Sequence, residues 1–258
     1  MISPAEALAS LPSWAFALLL VVCRIGTACM LLPGIGEAEL PTTVRILFVV
    51  ALSGLMLPVL APILPLQPAD LASLAAMLMA EIFTGLWLGW LTRLILLALP
   101  MAGQLMATAI GMSNVLQPDA MLGAGAAALS RLLGLAAPLL VLTSGLHAVM
   151  LQAVAGSYQL VAPGAFLPVG DSVEILVTAV GQAFGLALRL ASPFLVAGLL
   201  FQLATGLAGR LVPHLQVYFA GLPAQIFIGV ALFAVLAGAL LSHWMDAARV
   251  AFDALPGL

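Results

Sequence analysis

The stretch VEILVTAVGQAFGLALRLASPFLVAGLLFQLATGLAGRLV, residues 173–212, runs for forty residues with Pro193 as its only breaker. Coiled as an α-helix at 1.5 Å per residue it is about 60 Å long, roughly twice the hydrocarbon thickness of a bilayer. The polar corner GRLVPHLQVYFAGLP, residues 209–223, follows it, and a second long apolar run continues to about residue 250. This predicts a kinked helical hairpin, too long to be two simple perpendicular spans.

The rest of the chain agrees in character. Of its 258 residues 64% are hydrophobic and 7% charged, which lies outside the usage of soluble globular proteins. The expected fold is all-α, an integral membrane protein of long kinked helices and helical hairpins. Six or seven runs are long enough to cross a membrane, and they leave no room for a large soluble domain. The run at 11–32 is preceded by Glu6 and by no basic residue, so it lacks the positive flank of a cleavable signal and reads as a retained helix. Further runs are expected at 44–60, 71–99 and 127–153, with a thinner helix at 101–116.

The charge pattern excludes nucleic acid as a partner. There is no lysine, and the seven arginines are dispersed, whereas phosphate contact needs clustered basic groups. Arg24, Arg93, Arg131 and Arg189 lie inside apolar runs, and Arg45, Arg210 and Arg249 at or near their ends. The usual excess of basic residues in cytoplasmic loops is inverted, so loop charge assigns no orientation. A charge at mid-bilayer costs from about 3 to more than 10 kcal/mol unless it is paired or faces water. The deeper arginines are therefore expected to be buried, either against helices of the same chain or against other subunits.

A pattern at four-residue spacing recurs. Glu81, Gly85, Gly89 and Arg93 share one helix face, as do Gly181, Gly185 and Arg189, then Gly198, Gln202, Gly206 and Arg210; Gly103, Ala107 and Gly111 form an uncharged fourth stripe. Small residues let helix backbones approach, and each charged group needs a partner. Close helix packing is the plainer reading, pore lining the sharper one.

No catalytic pattern emerges. His147, His214 and His243 have no metal-ligand spacing, and there is no nucleophile elbow, Walker glycine loop or dinucleotide fingerprint. Glu81 is the one carboxylate deep in a run and reads as half of a structural ion pair. Cys23 and Cys29 read as two small buried residues. Neither a cofactor nor a metal is expected. Six of the eleven methionines (Met77, Met79, Met101, Met106, Met112, Met121) precede or enter the segment around Pro118; core filling is the default, a deformable gasket the alternative.

Arg24 followed by LLPGIG and Pro41-Thr-Thr-Val-Arg45, the segment AGQLMATAIGMSNVLQPD (102–119), SGLHAVMLQAVAGSYQLVAPG (144–164), and ALRLASPF (187–194) with the corner after it together resemble the FliR family of the bacterial flagellar export gate, with an injectisome homologue (SctT-like) as a cousin. The likeness covers nearly the whole chain. It implies a non-enzymatic subunit of the bacterial inner membrane and flagellar basal body, with residues 1–172 FliP-like and residues 173–258 a FliQ-like hairpin. Implied partners are FliP-like and FliQ-like membrane subunits, FlhB-like and FlhA-like export components, unfolded protein substrates and membrane lipid. By the same resemblance the loop 111–125 is a channel plug, with small residues such as Gly111 and Gly123 for mobility, Pro118 breaking its regularity, and Met112, Val115, Leu116, Met121 and Leu122 as apolar contacts. The segment 210–223 is a hairpin tip, with Arg210, Pro213, His214, Gln216, Gly221 and Pro223. The buried charge and packing set is Arg24, Glu81, Gly85, Gly89, Arg93, Arg131, Gly185, Arg189 and Gly206. The alternatives are an injectisome gate subunit and, from another class, a free-standing transporter or an intramembrane enzyme using Glu81 and Arg93; transporters carry internal repeats, which are not evident here.

Overall fold

The computed structural model describes the backbone of residues 4–111, 128–211 and 217–258, with side chains from residue 11 onward and, in the last helix, at 221 and from 223 onward. Among the described residues there is no strand. The helices are α1 (Pro4–Leu31), α2 (Thr42–Leu60) followed by a short 3-10 turn (Ala61–Ile63), α3 (Leu71–Ala109), α4 (Ala128–Thr143), α5 (Leu146–Leu160), α6 (Val169–Leu211) and α7 (Val217–Asp253). Five stretches are long and apolar enough to cross a membrane, and α4 with α5, bent by 75°, would make a sixth as one broken span.

Glycine and a capping aspartate mark the ends. After α1 the chain reverses at Gly34, whose φ of 83° is a left-handed conformation that a Cβ would strain. Asp70 starts α3 by accepting the Ser73 amide at 2.7 Å, and that bond holds its carboxyl below the usual range. Gly145, also left-handed, sits at the α4–α5 bend.

Prolines interrupt less than the sequence suggests. The helix expected at 101–116 is the continuation of α3, which passes through Pro100 and stops at Ala109, with Gly111 left-handed beyond it. Near that proline, Trp244 donates to the Ile95 carbonyl at 3.2 Å and Ser130 to the Pro100 carbonyl at 2.8 Å, so the backbone there is bonded from other helices. The α6 helix likewise runs through Pro193. Conversely, the run expected to be continuous at 127–153 is divided at residues 144–145. The long hairpin is as the sequence suggests, but its corner is narrower: α7 begins at Val217, so Pro223 lies inside a helix and sets no corner angle. The sequence boundary at 172/173 falls in the first turn of α6.

The chain divides into two compact units. The first comprises Met1–Leu94, Val141–Ala179 and Ala251–Leu258. Its core is built from Leu20, Ile25 and Cys29 of α1, Ala80 and Leu88 of α3, and Met150 and Val154 of α5. Helix α2 packs on α1 but leaves Val44, Leu47, Leu55 and Val59 exposed, which suits an apolar surrounding rather than water. The second unit comprises Ile95–Leu140 and Val180–Val250. In it Ala107 of α3, Ile110 just beyond it, Ala187 and Phe194 of α6, and Trp244 of α7 are buried, with the Phe194 and Phe233 rings 6.4 Å apart.

Candidate functional site

The glycine stripe of α3 is where α1 lies. A Cβ on Gly85 would run into the Thr27 hydroxyl and the Arg24 carbonyl, and one on Gly89 would stand 2.7 Å from Leu31 Cβ. Thr27 links the two helices, donating to Cys23 O at 2.6 Å within α1 and standing 3.3 Å from Ile82 O of α3. Close approach makes the charges at the stripe's two ends meet partners from the segment that begins with α1.

At one end Arg24 and Glu81, both 0% exposed, form a two-pronged pair, Nε to Oε2 at 2.7 Å and Nη2 to Oε1 at 3.0 Å. The remaining guanidinium nitrogen donates to the Ser157 and Val161 carbonyls at the end of α5, at 3.2 and 3.1 Å. The carboxylate also accepts the Gly164 amide at 2.6 Å, and the guanidinium carbon lies 4.1 Å from the Tyr158 ring centroid. At the other end Arg93 pairs with Glu37, Nη2 to Oε2 at 3.1 Å, in a half-buried position. Glu81 and Arg93 thus share one face of α3, and each is matched by an opposite charge from α1 or the turn after it.

The two alternatives expected for the deeper arginines divide among them. Arg24 is buried inside the chain and not against a neighbour. Arg131 and Arg189 are exposed and form no salt bridge among the described residues, while Gly185 and Gly206 have nothing within 4 Å of where a Cβ would stand.

The second unit grips the end of α3. Gly103 meets Ser130 of α4 (2.8 Å from a built Cβ to Ser130 Cα). Gly198 of α6 abuts the Ala109 carbonyl and Gly229 of α7 abuts Ile110. Gln225, buried, donates its amide to the same Ala109 carbonyl at 2.9 Å, satisfying a helix-end acceptor. Neither Gln225 nor Gly229 stood out in the sequence, since an isolated glutamine in an apolar helix carries no periodic signal. Beside them lies an apolar cleft of about 270 Å³ bordered by Ile110, Leu200, Phe201 and Ile228.

Of the expected plug set, Gly111 is the described member, at the root of the loop; Met112, Val115, Leu116, Pro118, Met121, Leu122 and Gly123 lie outside the described residues. Of the expected tip, Arg210 is exposed at the end of α6, Gly221 approaches Thr205 and Phe201 of α6, and Pro223 is exposed on α7. Pro213, His214 and Gln216 lie outside the described residues.

Long apolar helices, a neutralised ionic centre and outward apolar faces define a multi-pass helical membrane protein. The family model described as "Bacterial export proteins, family 1" matches residues 15–250, and the chain belongs to that family. Among its relatives is the flagellar biosynthetic protein FliR of Caulobacter vibrioides, 29% identical over 234 residues, covering 91% of this chain and 93% of that protein. The proteins of the same name from Escherichia coli and Bacillus subtilis are each 27% identical, covering 85% and 82% of this chain and 82% of either relative. The chain is thus a membrane component of the flagellar export apparatus type.

Proposed function

We propose that this chain is a non-enzymatic core subunit of the flagellar type III export gate, helping to form the channel through which unfolded flagellar proteins pass. The observation that carries the reading is the family match over residues 15–250, nearly end to end. The relatives' printed name, which concerns flagellar biosynthesis, favours a flagellar over an injectisome gate. Glu81 and Arg24, the buried polar groups best suited to chemistry, direct their hydrogen bonds to each other and to backbone, which supports a structural role.

In this reading residues 1–172 act as a FliP-like part and residues 173–258 as a FliQ-like hairpin, so that one chain joins both kinds of partner in a helical assembly. An FlhB-like component packs at the entrance, near the corner after α6, and an FlhA-like export component is a further partner. The loop 111–125 closes the channel, its apolar side chains excluding ions until substrate arrives. Transport energy comes from components elsewhere.

The test is the mass of the particle extracted in mild detergent from cells carrying a tagged full-length chain, together with motility of a strain lacking the gene. The expected result is a large particle containing other membrane subunits and a non-motile deletion strain. A chain recovered alone or as a small homo-oligomer, in a strain whose deletion still swims, would overturn the proposal.

A further inference from the structure

Beyond α7 the chain makes a short strap, residues 254–257, that lies on α5 inside the first unit. Phe252 and Leu255 are buried, Leu255 donates its amide to the Phe252 carbonyl at 3.1 Å, and Gly257 takes a left-handed φ of 102°. A Cβ on Gly156 of α5 would run into the Gly257 carbonyl, and one on Gly257 would stand 2.5 Å from the Ala153 carbonyl oxygen and 2.9 Å from the Ser157 nitrogen. Two facing glycines thus bring the strap's backbone onto α5, an approach that a side chain at either position would block.

Ser157 is where the strap and the ionic centre meet. Gly257 sits at its nitrogen, while its carbonyl and hydroxyl oxygens lie 3.2 and 3.4 Å from Arg24 Nη1. Tyr158, the next residue, lays its ring under the same guanidinium, and the Val161 carbonyl accepts from it at 3.1 Å. The end of α5 therefore completes the shell of Arg24, and the strap rests on the turn just before that end. An α5 that frays back past Ser157 takes all three groups away from a buried cation, which is a costly opening.

We infer that residues 254–257 are a catch that couples the end of α7 to the Arg24–Glu81 centre: seated, it holds the last turns of α5 on the guanidinium, and released, it lets that centre open. Because the catch continues α7, a pull along that helix reaches the buried ion pair through this segment. Coupling of this kind is reciprocal, so weakening the hold of Arg24 on α5 must loosen the catch by the same factor.

The test is amide hydrogen exchange, read by mass spectrometry, on the tagged full-length chain extracted in mild detergent. Leu255→Asp and Gly257→Val unseat the strap from its own side, the second because a β-branched residue is strained at that φ. Each is expected to raise exchange about tenfold over residues 153–161 of α5 and 20–28 of α1, with residues 186–196 of α6 unchanged. Leu258→Asp, at an exposed position, should alter none of these. Conversely, Arg24→Lys is expected to raise exchange over residues 252–257 by the same factor, and Tyr158→Leu, a milder change that removes only the ring, by a smaller one. Unchanged exchange in the strap variants would overturn the inference. So would a rise in α5 without α1, a rise of equal size in α6, or a strap that stays protected in both the Arg24→Lys and the Tyr158→Leu chains.

Discussion

Arg24 carries five N–H donors, and inside an apolar core each unmatched one would be costly. The structure meets that demand with two carboxylate bonds, two backbone carbonyls from α5 and the Tyr158 ring face. Removing one member of such a pair leaves an uncompensated buried charge, a loss of about 3–5 kcal/mol. Arg24→Met and Glu81→Leu are each expected to destabilise the detergent-solubilised chain by that amount, and the double variant by clearly less than their sum. Unfolding measured for the four species as a double-mutant cycle checks this, and additive losses would show that the two side chains are not coupled. The demand for a partner was legible in the sequence, because an arginine in an apolar run announces it. Its identity was not: Arg24 and Glu81 are 57 residues apart, and no periodic pattern bridges that separation. Of the two kinds of burial left open for Arg24, the one within the chain holds, because an acid from α3 is near enough in space.

At the scale of elements, glycines with identical spacing have opposite surroundings. Gly85 is pressed against α1, whereas Gly181 faces open space. Gly85→Ala is expected to destabilise the isolated chain by about 1–3 kcal/mol, the usual effect of overpacking. Gly181→Ala should leave it unchanged or raise its stability by about 1 kcal/mol, through helix propensity alone. Thermal unfolding of the two variants in detergent decides it, and equal effects would contradict the packing described here. Period-four spacing reveals that a face is suited to close contact but not which helix arrives, so the stripes were legible and their occupancy was not. Proline misled in the same region. Pro100 and Pro193 read as breakers, yet α3 and α6 run through them; near Pro100, Trp244 and Ser130 supply bonds to the backbone. At residues 144–145 a break arose without proline, at a left-handed glycine inside an apolar run.

For the whole molecule, the composition alone made the all-α membrane class legible, since so few charged residues cannot coat a water-soluble surface. The proposed closure of the channel belongs to this scale. Deleting residues 112–125 is expected to raise the ion conductance of membranes bearing the assembled particle while the particle's mass falls only by the residues removed; unchanged conductance would end the plug reading. The position of Arg24 also constrains how the polypeptide enters the bilayer during synthesis. Its counter-charge is on α3, and the carbonyls that complete its shell are on α5, so α1 emerges from the ribosome with a naked cation. Inserting that helix unaided carries about 2.5–3.5 kcal/mol for the arginine alone. Retention of α1 beside the insertion machinery until α3 follows would remove that cost by releasing the two as a neutral pair, a joint lateral exit into lipid for segments that translation produces separately.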